Sequence, residues 1–286
     1  MATQLATEPG AKLNLLLRVL SRERSGYHGI ETLFCRIALA DQLTAEIRGR
    51  PGEATIEVQG ADVGPADDNL ALKAARMVLD ATGRRFGVHL MLVKRIPVGA
   101  GLGGGSADAA AALDLVNQLA GNAVPRAELL HFAARLGADV PFLLTGASLA
   151  LGWGHGERLL RLPPLPKAPI LLLTPPVQIS TAEAYGWVDQ ARAGANRGSL
   201  ALDLDSVSRW SDIARMAGND FESAVFGREP RVREAFEALA RTNPLLCRMS
   251  GSGSTLFAVY RNVRDRDDAR MMLPRKLGTA IATETL

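Results

Sequence analysis

Short apolar runs predict most of the strands of this chain, because polar turns rich in glycine, proline and aspartate separate them. Several of the runs alternate apolar and polar residues, which is the period of a strand with one buried face. Strands are predicted over residues 12–20, 30–37, 43–47, 55–58, 88–95, 148–151, 158–162, 170–174, 246–249 and 255–260, with one more at the C-terminus.

Apolar residues spaced three and four apart predict helices between these strands. The run Asp67-Asp68-Asn69 is placed to cap one of them and Gly83 to end it. Helices are predicted from Leu70 to Gly83, over residues 107–119, from Pro125 to Gly137, from Ser180 through Val188, and around residues 207–216, 220–226, 231–241 and 265–277.

The order of these elements lacks a regular strand–helix alternation, so we expect an α+β fold rather than a doubly wound sheet. Residues 163–169 contain four prolines in seven positions and are the best candidate for a link between domains. A length of 286 residues suits two modest domains. The predicted domains are residues 1–162 and residues 163–286.

The composition excludes several classes of protein. Hydrophobic residues make up 47% of the chain, enough for a real core, while a net charge of +3 without a basic, aromatic-rich patch argues against nucleic acid as a partner. No secretory leader pattern is visible and no apolar run reaches the ~18 residues of a membrane span, so we expect a soluble cytoplasmic protein. Cys35 and Cys247 lie in apolar, strand-like segments and are expected to be buried free thiols.

A glycine-rich segment, residues 97–107, lies between a predicted strand and an alanine-rich predicted helix. Glycine lets the backbone approach an anion, and the first N–H groups of a helix attract negative charge. The segment matches neither a Walker-type loop, since no lysine follows the glycines, nor the spacing of a dinucleotide fold. It is predicted to bind nucleotide phosphates, and a tight turn without a ligand is the alternative. The predicted phosphate-binding residues are Pro97, Val98, Gly99, Ala100, Gly101, Leu102, Gly103, Gly104, Gly105, Ser106 and Ala107.

A lysine, an asparagine and an aspartate outside this segment are candidates for chemistry. Lys12 and Asn14 lie two apart in a predicted strand and therefore share one face. The other face of that strand is predicted to hold Leu13, Leu15 and Leu17. Asp139 precedes Pro141 and is placed to cap a short helix, a position from which it can also face a cleft. A carboxylate can accept a proton from an attacking hydroxyl while a nearby lysine stabilises a transferring phosphoryl group, so these residue types point to phosphoryl transfer.

Two further motifs each have a structural and a functional interpretation. The glycine–serine segment at residues 249–255 is either a hairpin turn or a second loop at the site. Tyr27 and His28 are either a surface pair or a pair that stacks on and hydrogen-bonds a flat base. The four histidines lie in separate elements without ligand spacing, so no metal-ligating residue is predicted.

Taken in order, these motifs resemble those of the kinase superfamily that comprises galactokinase, homoserine kinase, mevalonate kinase and phosphomevalonate kinase. The resemblance covers nearly the whole chain and rests on the ordered set rather than on one motif. The motifs are A-K-L-N-L at 11–15, G-Y-H at 26–28, D-N-L-A-L-K-A-A at 68–75, P-V-G-A-G-L-G-G-G-S-A-D-A-A at 97–110, G-A-D-V-P-F at 137–142, S-T-A-E-A-Y at 180–185, N-D-F-E at 219–222 and M-S-G-S-G-S at 249–254. The chain departs from the usual pattern at Gly10, Ser25 and Ala107, where the family commonly has proline, aspartate and serine.

The resemblance implies an N-terminal ATP-binding domain and a C-terminal ferredoxin-like domain, with the active site in the cleft between them. It implies transfer of a phosphoryl group from ATP, accompanied by Mg²⁺, to an alcohol. The G-Y-H motif is typical of the branch whose small-molecule substrate carries a cytidine diphosphate group and serves isoprenoid synthesis by the non-mevalonate route. A monomer or a homodimer is expected.

The functional residues of the family are carried over by motif. Asp139 would be the general base and Lys12 its electrostatic partner, beside the phosphate-binding segment. Around them would lie the groups that meet the two substrates: Asn69 and Lys94 at the nucleoside of ATP, Tyr27 and Tyr185 stacked on the cytosine, His28 hydrogen-bonded to the cytosine edge, and Asn14 and Thr181 along the substrate cleft.

Two other functions stay open on the sequence. The first is another small-molecule kinase of the superfamily, such as homoserine kinase, against which the pair Tyr27-His28 argues. The second is a nucleotide-binding regulatory module without turnover, against which Lys12 and Asp139 argue because a binder needs no base.

Overall fold

The structure, a computed structural model, describes residues 3–24, 26–191 and 203–286. Ser25, one of the departures from the family pattern, lies outside the described residues. The strands are β1 (Gln4–Thr7), β2 (Gly10–Arg22), β3 (His28–Ala40), β4 (Gln42–Ile47), β5 (Ala54–Gln59), β6 (Val88–Val93), β7 (Leu149–Gly154), β8 (Arg158–Leu162), β9 (Pro169–Thr174), β10 (Gly218–Asn219), β11 (Leu246–Met249), β12 (Leu256–Val259) and β13 (Thr279–Glu284). The helices are α1 (Leu70–Ala81), α2 (Gly104–Leu119), α3 (Arg126–Leu136), α4 (Val140–Thr145), α5 (Thr181–Ala191), α6 (Trp210–Met216), α7 (Phe221–Arg228), α8 (Pro230–Ala240) and α9 (Val263–Met272).

The first sheet has the strand order β1-β4-β6-β5 and packs against α1 and α2. Along β6, Val88, Leu90 and Leu92 are buried and alternate with half-buried residues, as their period of two predicts. Helix α2 buries a run of alanines, among them Ala109 and Ala112, whose short side chains let it pack closely in this core. The packing places the N-terminus of α2, and with it the glycine segment, at the edge of the core.

Helix α2 begins earlier than the sequence predicts. The prediction started it at residue 107, because glycine has low helix propensity. In the structure Gly104 and Gly105 already belong to the helix, and Gly103 precedes it in a left-handed conformation. The helix therefore begins with glycine backbone, and no side chain caps its first N–H groups with a hydrogen bond.

The second sheet has the order β10-β2-β3-β7-β8, and a β-bulge in β2 changes which residues face the site. Asn14 pairs with Phe34 but Leu16 pairs with Leu33, so β2 carries one extra residue between these pairs. The prediction that Leu17 lies opposite Lys12 and Asn14 is therefore wrong. Since one residue of register reverses the face, Leu17 lines the same cavity as those two side chains.

The third sheet, β11-β12-β9-β13, is antiparallel. Its chain order is strand β9, helices up to α8, strands β11 and β12, helix α9 and strand β13, with β9 and β12 at its centre. This is the split β-α-β arrangement of a ferredoxin-like fold. The α+β class with a ferredoxin-like C-terminal part is confirmed.

Residues 163–168 join β8 to β9, at the place where the prolines predict a domain link. One apolar core nevertheless combines Leu13 and Leu15 of β2 with Ile170 of β9 and Phe257 of β12. In addition β10, from the C-terminal half, pairs in parallel with β2. The division at residue 162 stays a prediction, and the two halves share packed apolar side chains across it.

Both cysteines are buried and unpaired, as the sequence predicts. Burial raises the pKa of Cys35 and of Cys247 to about 12 in each case. In the part of the chain that the structure describes, no helix has the length and apolar character to cross a bilayer.

Candidate active site

The glycine segment forms a loop that ends on the exposed first turn of α2. Gly99, Gly101 and Gly103 have φ angles of 68°, 78° and 69°, in the left-handed region that glycine tolerates. Gly103 occupies the N-cap position and supplies no side-chain acceptor to the first N–H groups of α2. Those donors, together with the positive end of the helix dipole, remain for an anion.

The glycine–serine segment at 250–254 connects β11 to β12 and rests on this loop. The Ser250 hydroxyl donates to the carbonyl oxygen of Gly101 at 2.9 Å, and the Thr255 N–H donates to that of Ala100 at 3.3 Å. A Cβ on Gly101 would lie 2.2 Å from the carbonyl oxygen of Ser250, so only glycine allows this approach. The hairpin interpretation is correct, and the same hairpin also supports the candidate phosphate-binding loop.

Lys12 and Asp139 meet beside the glycine loop. The Lys12 Nζ lies 3.2 Å from Asp139 Oδ2, and Lys12 is almost fully buried while Asp139 is partly exposed. Gly103 packs on this pair, since a Cβ there would lie 2.9 Å from Lys12 Cγ and 3.5 Å from Asp139 Oδ2. Asp139 precedes α4, but its side chain makes no capping hydrogen bond. Of the two roles that the sequence allows Asp139, the structure therefore favours a carboxylate that faces a cleft.

Asn14 holds the lysine in place from the neighbouring position of β2. Its Oδ1 accepts from Lys12 Nζ at 2.7 Å and from the N–H of Gly251 at 3.1 Å. Its Nδ2 donates to Thr32 Oγ1 at 2.8 Å. The buried amide thus connects the lysine, the glycine–serine loop and strand β3, which limits the conformations open to Lys12.

These groups surround one cavity of about 610 Å³. Of the predicted site residues, the cavity is lined by Lys12, Asn14, Asn69, Lys94, the loop from Pro97 to Ser106, Asp139, Thr181 and Tyr185. The remaining three, Tyr27, His28 and Ala107, do not line it. The structure thus gathers most of the predicted residues, which lie up to 173 positions apart in the sequence, around one site.

Asn69 and Lys94 each already have partners. The Asn69 side chain accepts from the N–H of Ala71 at 2.9 Å, which confirms its predicted cap of α1. The Lys94 ammonium donates to Asp41 and, at 2.8 Å, to Asp108. A nucleotide that contacts Asn69 or Lys94 would therefore bind to the N–H groups that these hydrogen bonds do not use.

Asp108 is a residue of this cavity that the sequence analysis did not single out. Its Oδ2 accepts from Lys94, while its Oδ1 is buried without a hydrogen-bond partner among the described residues. Desolvation raises the pKa of Asp108 to about 7, against the opposing attraction of Lys94. The feature of the sequence that could have identified Asp108 is an acidic residue on the buried face of an alanine-rich predicted helix.

The aromatic residues form two pairs near the cavity mouth. The His28 ring stacks on Tyr185, with centroids 4.9 Å apart, and its Nε2 lies 2.7 Å from Asp189 Oδ1. Tyr27 is 66% exposed and its ring lies 5.5 Å from that of His155, which lines the cavity. Burial, and then the charge of Asp139, raises the pKa of Tyr185 to about 12. Asp189 and His155 were missed, because neither lies in a motif.

The N-D-F-E motif, to which the sequence analysis assigned no role, supports the glycine–serine loop. Asn219 Nδ2 donates to the carbonyl oxygens of Met249 and Gly251, both at 2.8 Å. Thr181 Oγ1 lies 3.1 Å from Ser252 Oγ on the other side of that loop. The loop is thus held from both sides in contact with the cavity.

A helix N-terminus that can hold phosphates, next to a lysine–carboxylate pair, is compatible with phosphoryl transfer, and the comparisons with known proteins identify the class as the small-molecule kinases. Sequence models of the GHMP kinases N terminal domain and of the GHMP kinases C terminal region match residues 69–147 and 200–278.

The similarity to individual relatives shows which family of GHMP kinases the chain belongs to. The chain is 40% identical to the 4-diphosphocytidyl-2-C-methyl-D-erythritol kinase of Solibacter usitatus over 260 residues, covering 88% of this chain and 80% of the relative. It is 36% identical to the enzyme of that name from Pelobacter propionicus over 283 residues, covering 99% of both chains. The chain belongs to the family of 4-diphosphocytidyl-2-C-methyl-D-erythritol kinases within the GHMP kinases.

Solved structures agree with this assignment. A crystal structure of a 4-(cytidine 5'-diphospho)-2C-methyl-D-erythritol kinase has a TM-score of 0.81 at 33% identity, covering 98% of this chain and 99% of the other. The mevalonate kinase of L. major has a TM-score of 0.71 at 12% identity, covering 100% and 97%, and shares the fold alone.

Proposed function

We propose that this kinase transfers the γ-phosphoryl group of ATP to the C2 hydroxyl of 4-diphosphocytidyl-2-C-methyl-D-erythritol, a step of the non-mevalonate isoprenoid pathway. The observation that carries the proposal is the pair formed by Lys12 and Asp139, 3.2 Å apart, beside the N-terminus of α2, which has no side-chain cap. The substrate is suggested by the relatives that cover most of this chain, and the residue roles are those that the family resemblance implies, with the geometry of the cavity as support.

In this proposal Asp139 is the general base. As the substrate oxygen attacks the γ-phosphorus, its proton passes to a carboxylate oxygen of Asp139, the new O–P bond forms, and ADP leaves with the electrons of the broken bond. The Lys12 ammonium stabilises the ionised carboxylate before transfer and the negative charge on the phosphoryl group during it. The partial exposure of Asp139 leaves its carboxylate open to a hydroxyl in the cavity.

The phosphates of ATP are proposed to bind at the glycine loop, on the N–H groups at the start of α2. Mg²⁺ takes oxygen ligands and is often bound by one or two protein groups plus phosphates. Among the described residues no group of three or more histidine, cysteine or acidic side chains forms a metal site, whereas Ser106 and Asp139 border the loop. These residues fit a Mg²⁺ ion held mainly by the phosphates, with the Ser106 hydroxyl as a protein oxygen donor. When bound, the ion neutralises charge on the phosphates.

Asn69 and Lys94 are proposed to meet the nucleoside of ATP, at the end of the cavity next to α1. Both side chains are fixed by the bonds described above, so they offer oriented donors at little cost in side-chain entropy. Asn14 and Thr181 are proposed to line the cleft for the methylerythritol part of the substrate, since both border the cavity.

Tyr27, His28 and Tyr185 are proposed to hold the cytosine. His28 already covers one face of the Tyr185 ring, so the pair offers one stacked aromatic wall rather than two separate surfaces. Asp189 orients the His28 ring through Nε2, which leaves Nδ1 to meet the edge of the base. Tyr27, whose exposed ring is near His155 at the cavity, is proposed to stack on the other face of the base.

The test measures ADP release with the cytidyl alcohol, homoserine and mevalonate as acceptors, for the wild type and for Asp139→Asn. We expect turnover with the cytidyl alcohol only, and a loss of kcat of about 10²–10⁴-fold in the variant, while the Kd of ATP stays within about threefold. Asp80→Asn, which changes an exposed acid paired with Arg84, serves as the matched control and should keep normal turnover.

Each alternative gives a different result. Nearly normal turnover of Asp139→Asn would remove Asp139 as the base. Faster transfer to homoserine or mevalonate would identify another GHMP kinase. ATP binding without ADP release from any acceptor would identify a regulatory module. The cytoplasmic location and a monomeric or homodimeric state stay predictions, which fractionation and sedimentation would test.

A further inference from the structure

A second cavity, of about 250 Å³, lies on the other side of α2 from the kinase cavity. Helix α2 directs Ser106 and Asp108 to the kinase cavity, and Ala107 and Asp114 to the second one. The turn between β1 and β2, strand β3 and the C-terminal end of α4 complete its walls. None of the residues of the proposed phosphoryl transfer reaction contributes to it except Ala107, whose small side chain opens space there.

Arg36 is the unusual group of this cavity. It is the cross-strand Cα partner of Lys12, so two cationic side chains stand opposite each other on one face of the sheet. Like charges in that position repel. Lys12 is compensated by Asp139 and Asn14, whereas the Nε of Arg36 is buried and has no hydrogen-bond partner in the described part of the chain. Burial lowers the pKa of the Arg36 guanidinium from its ordinary value.

The two carboxylates in the cavity wall hydrogen-bond to side chains other than Arg36. Glu8 accepts from the side-chain amide of Gln42 at 3.2 Å, and Asp114 accepts from that of Gln118 at 2.8 Å. A second arginine, Arg126, borders the cavity and uses one Nη to donate to the carbonyl oxygen of Leu144 at 2.7 Å. Further donors of Arg126 remain for a ligand.

A buried guanidinium N–H without an acceptor is costly, and native proteins almost always satisfy such groups. The planar fork of arginine matches the two oxygens of a carboxylate or phosphate. We propose that the second cavity is a binding site for a small oxyanion, held by the Arg36 fork with Arg126 as the second donor. The small volume of the cavity excludes a nucleotide and leaves room for a single phosphate or carboxylate group.

The experiment uses the full chain, once without nucleotide and once with its nucleotide site saturated by a non-hydrolysable ATP analogue. Thermal unfolding is followed while inorganic phosphate, or in a second arm acetate, replaces chloride at constant ionic strength. The variants are Arg36→Met, which removes the fork, and Arg36→Lys, which keeps a charge without the fork. Arg135→Gln is the control, because Arg135 is an exposed arginine in the last turn of the same helix α3 that begins with Arg126.

We expect one of the two anions to raise the melting temperature of the wild type and of Arg135→Gln, and the arm that responds identifies the ligand as a phosphate or a carboxylate. Arg36→Met should lose this increase, and Arg36→Lys should weaken anion binding by about tenfold or more. Without anion, Arg36→Met should melt no lower than the wild type, because an unpartnered buried charge is gone. If Arg36 only stabilised the fold, Arg36→Met would melt at a lower temperature than the wild type in the absence of anion.

Three outcomes would overturn the proposal. The first is an anion-dependent increase in melting temperature that persists in Arg36→Met. The second is an increase in melting temperature that disappears when the nucleotide analogue is bound. The third is a melting temperature that neither phosphate nor acetate raises above its value in chloride. The second would show that the anion occupied the kinase cavity instead. Failure of the kinase proposal leaves this test intact, since the readout is stability rather than turnover.

Discussion

Replacing Asp108 by asparagine tests the electrostatics beside the proposed nucleotide site. The Asp108 side chain is 4% exposed, and it shares the Lys94 ammonium with Asp41. One of its oxygens has no partner among the described residues. Desolvation is the largest cause of its raised pKa, and the charge of Asp41 adds to it, so Lys94 compensates the carboxylate only in part.

The folded protein holds a proton on Asp108 that the unfolded chain has already released, so the ionised group destabilises the fold fully above about pH 7 and not at acid pH. The pKa moves from 3.8 to about 7 on folding. At ~1.4 kcal/mol per unit, integration predicts a loss of roughly 2–3 kcal/mol between pH 5 and pH 8. Asparagine has nearly the same shape and does not ionise.

Urea unfolding at pH values from 5 to 8 measures this difference. The free energy of unfolding of Asp108→Asn, relative to the wild type, should rise by roughly 2–3 kcal/mol across that range. Asp114→Asn, which changes an exposed acid on the same helix, is the matched control. A flat difference for Asp108→Asn, or one that moves against the variant, would refute the reasoning.

Three more predictions concern the loop, the thiols and the substrate. Gly101→Ala should cost more than ~2 kcal/mol in urea unfolding, since its methyl group would clash with the glycine–serine loop at a φ of 78°. Gly99→Ala, at a φ of 68° with nothing within 4 Å, should cost about 1 kcal/mol, and equal costs would contradict the proposed contact. Cys35 and Cys247, each with a pKa of about 12, should not react with a disulfide reagent at pH 8 until the protein unfolds, and a fast native thiol would contradict their burial. His28→Ala should raise the KM for the cytidyl substrate about tenfold and leave the KM for ATP unchanged, whereas equal changes in both would point to a structural role.

Local structure was largely predictable because its causes are local. The period of two in β6 and the cap at Asn69 depend on neighbouring residues, and the structure confirms both. The incorrect predictions concern places where single residues depart from the regular pattern of a strand or a helix. The bulge in β2 turns Leu17 to the cavity, and the helical conformation of Gly104 and Gly105 lengthens α2 against their propensity.

The site was predictable only as a set of motifs. The glycine loop and the motifs around Lys12 and Asp139 identified the family, because each has a local sequence pattern. Asp108 and Asp189 were missed because their importance depends on partners distant in the sequence, such as Lys94 and His28. No window of sequence shows that such a pair will form.

By itself, the sequence determined the α+β class, the order of the elements, the candidate phosphate cradle and the family. Only the tertiary structure decided that Asp139 faces Lys12 rather than capping α4, that the glycine–serine hairpin rests on Gly101, and that Arg36 is left without a partner at its Nε. This difference arises from the range over which each interaction acts. Periodicity, caps and turns act over a few residues, whereas the partners of a buried charge are set by packing, which brings together residues far apart in the chain.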